Sequence, residues 1–142
     1  IGNHTWNHPV LPKLTRNQLR NEITQTEQIL DSILGYHPAL FRPPYGSAST
    51  SDIKEISSMG YKVIDWSVDT RDWAGTPVTQ IMSLVRRELR PGGIILEHCA
   101  GGKGENLSNT VQALPEIISM LEKQKYKIVR IHELLNIPAK MK

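Results

Sequence analysis

The feature that most constrains this chain is an alternation: short β-rich or fully apolar runs separated by amphipathic helical stretches. Residues 14–35, LTRNQLRNEITQTEQILDSILG, place Leu19, Ile23, Leu30 and Leu34 at helical spacing. Thr15 can cap that helix with Gln18 as its capping-box partner, and Gly35 stops it. ALFR (39–42) then reads as a strand, TSDIKEISSMG (50–60) as a helix, and YKVIDWSV (61–68) as a β-rich run. TPVTQIMSLVRRELRPGG (76–93) reads as a helix with Thr76 as cap, Pro77 first inside and a Pro-Gly-Gly stop. GGIILEH (92–98) has the look of a buried strand, NTVQALPEIISMLEKQ (109–124) of a fourth helix, YKIVRI (126–131) of a last strand, and HELLN (132–136) of a terminal turn of helix. With IGNH at the start, this makes five strands. Such alternation predicts βα units and a parallel sheet or barrel. His4, Arg42, Asp69 with Asp72, and His98 each fall at or just after the end of a strand. In an α/β barrel those carboxyl ends share one face, and that face carries the active site.

Bulk properties narrow the choice of function. A chain of 142 residues with 39% apolar content fits one globular domain. The net charge is only +3 and the Lys and Arg residues are scattered, which argues against a nucleic-acid partner. A single cysteine, Cys99, excludes an intrachain disulfide. No apolar run approaches the ~18 residues of a membrane span, and no signal peptide is visible. The chain starts at Ile1, inside an apparently structured IGNH, so we expect a piece of a longer protein.

Four short motifs carry possible chemistry. In HTWNHP, His4 and His8 stand four apart, a spacing that suits two zinc ligands if a helix holds them, although chance produces such pairs too. A catalytic zinc needs about three protein ligands, which leaves one unaccounted for. In FRPPYG, two prolines stiffen a turn and Pro44 removes a backbone donor, so the Tyr45 amide is held as an oxyanion donor must be; a plain strand-ending turn is the alternative. In WSVDTRDWAG, Asp72 can orient and charge a histidine and Trp73 can wall an apolar pocket, unless this is a solvated loop. In IILEHCAGG, His98 ends an apolar strand, as either a core residue or a general acid. Cys99 adjoins it, but neighbours on a strand face opposite ways, which argues against a Cys-His dyad.

Together and in this order, these motifs resemble the polysaccharide deacetylases of carbohydrate esterase family 4, along essentially the whole chain. HTWNHP is similar to the family's His-[Ser/Thr]-x-x-His zinc motif, RPPY to its Arg-x-Pro-Tyr motif, RDW to its Asp-Trp motif and LEH to its Leu-x-His motif. The family's Thr-Phe-Asp-Asp-Gly motif has no counterpart in these residues; VIDW and SVDT do not replace it. The resemblance implies a distorted (β/α) barrel of about seven strands, here without the first one or two, with residues 1–142 forming the C-terminal portion of a single catalytic domain. It implies zinc, or cobalt or nickel, on His4 and His8, with the third ligand and the base being aspartates of the motif not found. It further implies that the Tyr45 amide holds the oxyanion and that His98, charged by Asp72, gives its proton to the leaving amine. Arg42 would position the base, Pro44 would shape the substrate turn, and Trp73 and Leu96 would line the acetyl slot. Thr5 would brace the metal loop, and Asp69 is a secondary candidate. The implied substrate is an N-acetylated glycan, peptidoglycan or chitin-like, with an O-acetyl esterase on xylan or a catalytically incomplete glycan-binding fragment as alternatives. The setting would be extracellular or wall-associated in a bacterium, and the absent N-terminal segment of the same domain is an expected partner.

Overall fold

A computed structural model describes residues 1–102 and 104–141. The chain divides into two compact units, Ile1–Asp65 with Asn136–Lys142, and Trp66–Leu135.

The first unit is built on helix α1 (Arg16–Leu34). Its start and stop are local: the Thr15 side chain accepts from the Gln18 amide, the Gln18 side chain returns the bond to the Thr15 amide, and Gly35 ends the helix at φ 69°. Leu19 and Ile23 are its buried pair. Strand β1 (Leu40–Phe41) pairs in parallel with β2 (Lys62–Val63), with Leu40 opposite Lys62. Asn3 adds an isolated parallel bridge to Phe41 on the other side of β1. Gly2 permits this approach, because a Cβ there would sit 2.9 Å from the Leu40 carbonyl oxygen. Helix α2 (Thr50–Ser58) opens on a second capping box, Ser49 with Asp52. Its Glu55, almost fully buried, pairs with Arg16 and Arg20 of α1. Leu11, Leu19, Ile23, Phe41, Ile56 and Tyr61 form the core between these elements. Each contributes about 1.5–3 kcal/mol through burial, which outweighs what the capping bonds add.

In the second unit, β3 (Val68–Asp69) pairs in parallel with β4 (Ile95–Leu96), Val68 opposite Ile95 and Asp69 opposite Leu96. The buried Thr70 hydroxyl extends the register by donating to the Leu96 carbonyl at 2.8 Å. Helices α3 (Val78–Glu88) and α4 (Ser108–Lys123) pack on one another through Ile81, Met82, Val85, Ala113, Ile117 and Leu121, with Val68 of β3 in the same cluster. A short α5 (Ile131–Leu134) follows.

Three expectations from the sequence need correction. YKVIDWSV is not one strand: it supplies β2 and β3, which pair with different partners. Thr76 does not cap α3; its hydroxyl donates to the Arg71 carbonyl at 2.7 Å, and Pro77 occupies the cap position. YKIVRI, despite its β-branched content, forms no strand among the described residues, because no neighbouring strand offers it a ladder. In place of the five expected strands, the described residues hold four two-residue strands and two isolated bridges, Asn3 with Phe41 and Pro38 with Lys140.

Candidate active site

In the first unit the parallel register sets Asn3 beside Phe41, so His4 and Arg42 both emerge at carboxyl ends of the sheet. The His4–His8 pair sits on a loop and not on the helix that the spacing anticipates. Thr5 and His8 both take left-handed backbone angles, φ 68° and 56°. Each such non-glycine residue costs about 1–2 kcal/mol, so the surroundings must enforce the turn. It brings the two imidazoles edge to face with centroids 4.9 Å apart. The Thr5 hydroxyl accepts the His8 amide at 3.1 Å, which closes the loop on itself.

The ring of His4 has a defined tautomer. Its Nδ1 lies 2.6 Å from the Arg42 carbonyl oxygen, which can only accept. Nδ1 therefore carries the proton, and in the neutral ring Nε2 is the nitrogen that can ligate, an assignment made from the bond partner. That is the form a metal ligand takes when its other nitrogen is held by a backbone carbonyl. The two imidazoles thus fit two of the positions of a zinc-type site. Among the described residues, no group of three or more His, Cys, Asp or Glu is placed to hold a metal.

Arg42 is tied to the metal loop through its backbone, giving its carbonyl to His4 and donating its amide to the Asn3 carbonyl at 3.0 Å. Beyond it, Pro43 and Pro44 are buried and Tyr45 is left-handed at φ 59°. The turn is closed by the amides of Gly46 and Ser47, so the Tyr45 amide is not spent on holding it. The Tyr45 side chain is 65% exposed, its ring set against His8 at 4.6 Å.

The second unit supplies a buried carboxylate on a histidine. Arg71, left-handed at φ 53°, turns the chain so that Asp72 opens a short 3-10 turn, and the Asp69 carboxylate accepts the Arg71 amide at 2.9 Å. Asp69 is thus a turn-former. Asp72 is 0% exposed and receives three donors: the His98 ring Nδ1 at 2.7 Å, the His98 amide at 2.7 Å and the Thr110 hydroxyl at 2.9 Å. Burial by itself pushes this carboxyl up; the bonds from His98 and Thr110 together outweigh it and hold the group below the usual aspartate range. With Nδ1 engaged, Nε2 of His98 is the atom left to deliver a proton. Leu96 is buried, Trp73 is 48% exposed, and Cys99 is exposed.

The polysaccharide deacetylase family model matches residues 1–64. A peptidoglycan-N-acetylglucosamine deacetylase of Bacillus cereus is 37% identical over 131 residues, which is 92% of this chain and 47% of that protein. A solved peptidoglycan N-acetylglucosamine deacetylase superposes with a TM-score of 0.93 at 35% identity, covering 99% of this chain and 64% of the solved one. The chain belongs to the polysaccharide deacetylases of carbohydrate esterase family 4. Its fold is the α/β type of those barrel enzymes. It spans about half the length of the first of these relatives. A second similar structure, 30% identical with a TM-score of 0.85 and covering 94% of this chain and 45% of its own, is a pseudoenzyme of the same family from Bacillus anthracis.

Four residues of this deacetylase-family chain escaped the sequence reading. Asn3 is 1% exposed; its side-chain oxygen accepts the Thr5 amide at 2.9 Å, and its nitrogen donates to the Ile23 carbonyl and to the Tyr61 hydroxyl. Glu22 of α1 receives the amides of Trp6 and Asn7. Thr110 completes the shell of Asp72. Glu97 lies between Leu96 and His98 with Oε1 buried and without a hydrogen-bond partner. Burial, with a smaller push from Asp72, raises its carboxyl to about 7. No spacing rule marks these positions; only Glu97, an acid inside an otherwise apolar run, carries a signal in the sequence.

Proposed function

We propose that this chain carries the metal-holding and proton-donating parts of a metal-dependent hydrolase that removes N-acetyl groups from an N-acetylated polysaccharide, peptidoglycan or a chitin-like glycan. The observation that carries this reading is the Asp72–His98 pair. An amine leaves a tetrahedral intermediate only when protonated, and a histidine fixed through Nδ1 by a buried carboxylate is built to protonate it from Nε2. His4 and His8 would hold zinc, cobalt or nickel through imidazole nitrogen. When bound, that metal supplies Lewis-acid polarisation of the acetyl group and of the attacking water. The Tyr45 amide, held in its turn by Pro43 and Pro44, donates to the oxyanion. Leu96 and Trp73 offer apolar surface to the acetyl methyl. Arg42 orients His4 through its carbonyl, and its guanidinium is assigned to the base. By resemblance that base is an aspartate of Thr-Phe-Asp-Asp-Gly, which these 142 residues do not contain.

The Bacillus relative is named as a peptidoglycan-N-acetylglucosamine deacetylase, which supports the reading of an enzyme that works outside the cell or at the wall. Among the described residues, no helix is long and apolar enough to cross a membrane. O-acetyl groups on xylan are the alternative substrate, since an ester needs the same site; but an alcohol leaves with less help from an acid, so the Asp72–His98 pair favours the amide. The pseudoenzyme relative favours a second reading, a glycan-binding chain without turnover. Acetate release from N-acetylglucosamine oligomers, peptidoglycan and acetylxylan, assayed with the segment that carries the base aspartate present together with these residues, separates the three. Release from the N-acetylated glycans that is lost in His98→Ala supports the proposal. Release from acetylxylan alone supports the esterase, and glycan binding without release supports the non-catalytic reading.

A further inference from the structure

We propose that Glu22 is a positioning residue for the metal loop, the upper jaw of a clamp whose lower jaw is Asn3. This rests on the reading of His4 and His8 as metal ligands. Four consecutive backbone amides, Thr5 to His8, all point to side-chain acceptors. Thr5 donates to the Asn3 side-chain oxygen, Trp6 and Asn7 both donate to Oε2 of Glu22 at 3.1 and 2.7 Å, and His8 donates to the Thr5 hydroxyl. The Asn7 side-chain amide adds a third bond to Glu22, at Oε1, 2.9 Å. The segment between the two histidines thus has no ladder of its own and takes its shape from side chains.

Both jaws close on the same turn of α1. Glu22 grips the loop tip, while the adjacent Ile23 gives its carbonyl to Asn3 beneath it. Leu19 and Ile23 seat that turn in the core, so the anvil is rigid. The loop needs one. With Thr5 and His8 both left-handed, a free segment would relax to ordinary backbone angles and swing the second imidazole away from the first. Trp6, 51% exposed, is not anchored in the core and gives only partial burial against this. Glu22 acts on the metal through the loop: its bonds go to the Trp6 and Asn7 amides and the Asn7 side chain, and among the described residues it forms no group of three with His4 and His8 placed to hold a metal, so it is a positioning residue and not a ligand.

The test uses zinc alone, titrated into the apo protein against a chromophoric chelator, with thermal unfolding and amide exchange at Trp6 and Asn7 read in parallel. Glu22→Ala should weaken zinc binding by roughly 10–100-fold, the usual effect of losing a partner that orients ligands, with the apo melting temperature nearly unchanged and faster exchange at both amides. Glu22→Gln keeps an acceptor for the two backbone amides and should recover most of the affinity. Wild-type affinity in Glu22→Ala overturns the proposal. If Glu22→Ala does not fold, Glu22→Gln and Asn7→Ala remain: both remove the same Asn7 bond, so the double variant should bind no more weakly than either single. Additive losses would overturn the clamp. His4→Ala is the control on the metal reading. If wild type and His4→Ala bind zinc equally poorly, that reading fails, and the clamp stands or falls on whether Glu22→Ala speeds exchange at Trp6 and Asn7.

Discussion

His98 and Asp72 are joined twice: the ring nitrogen Nδ1 meets one carboxylate oxygen at 2.7 Å, and the backbone amide of the same histidine meets the other at 2.7 Å. One buried carboxylate therefore fixes both the ring and the strand end from which the ring projects.

Removing the proton donor should separate chemistry from metal binding. His98→Ala is expected to cut deacetylation by roughly 10²–10⁴-fold, the scale of general acid catalysis, and to leave metal content alone. Asp72→Asn should fall in the same range, because an amide offers one oxygen where His98 and Thr110 bring three donors to two. Turnover on an N-acetylglucosamine oligomer by the enzyme that includes the base-bearing segment, with metal analysis on the same samples, reads both. Loss of metal in His98→Ala would reassign the histidine.

Acid stability should track the shell of Asp72. Its folded carboxyl lies below the unfolded value of 3.8, so its contribution is present above that value and is lost as pH falls through the folded one. Thr110→Val removes one of the three donors and brings the folded value back toward the unfolded one. The acid-unfolding midpoint, followed by circular dichroism, should move to higher pH in Thr110→Val. An unchanged midpoint would mean that the Thr110 bond contributes nothing to the charged form.

Glu97 has the opposite sign. Its folded carboxyl is raised from 4.5 to about 7, so the native state is favoured while the group is neutral and loses stability as pH rises from 4.5 through 7. Glu97→Gln mimics the neutral form at every pH. The variant should match wild type at pH 4 and exceed it in urea resistance at pH 8. Equal stability at pH 8 would show that Oε1 finds a partner or water once the carboxylate is charged.

What the sequence reveals and what it hides follow one physical line. Thr15 with Gln18 and the stop at Gly35 are legible because capping is decided within four residues. His4, Arg42, Asp72 and His98 are legible as strand-end residues because the alternation of helix and strand places them there. Thr76 misleads because its hydroxyl finds the Arg71 carbonyl, a better-placed partner than the end of α3. YKIVRI misleads because β-branched residues describe a surface that fits a sheet, and a sheet needs a neighbour. Asn3, Glu22 and Thr110 stay hidden because each acts on a residue 15 or more positions away through a polar contact that no periodicity encodes.

The two jaws of the metal loop should differ in what they cost the fold. Asn3 is buried and serves three groups at once: the Thr5 amide, the Ile23 carbonyl and the Tyr61 hydroxyl. Burial, with Glu27 adding to it against the Asn3 bond, pushes the Tyr61 phenol up to about 12, so that hydroxyl stays neutral and its partners stay hydrogen-bonded through the physiological range. Asn3→Leu is close in volume but leaves the buried Thr5 amide without its acceptor, at roughly 1–3 kcal/mol, and takes one bond each from the Ile23 carbonyl and the Tyr61 hydroxyl, which keep their partners in α1 and at Glu27. Urea unfolding should therefore show a loss of about 1–3 kcal/mol, along with loss of zinc binding at temperatures where the variant is still folded. Glu22, nearer the surface, should cost zinc affinity with little change in unfolding, since water replaces its bonds. Finding Asn3→Leu within about 0.5 kcal/mol of wild type would show that the Thr5 amide and the Tyr61 hydroxyl are satisfied by other means, and that the lower jaw is not what holds the loop.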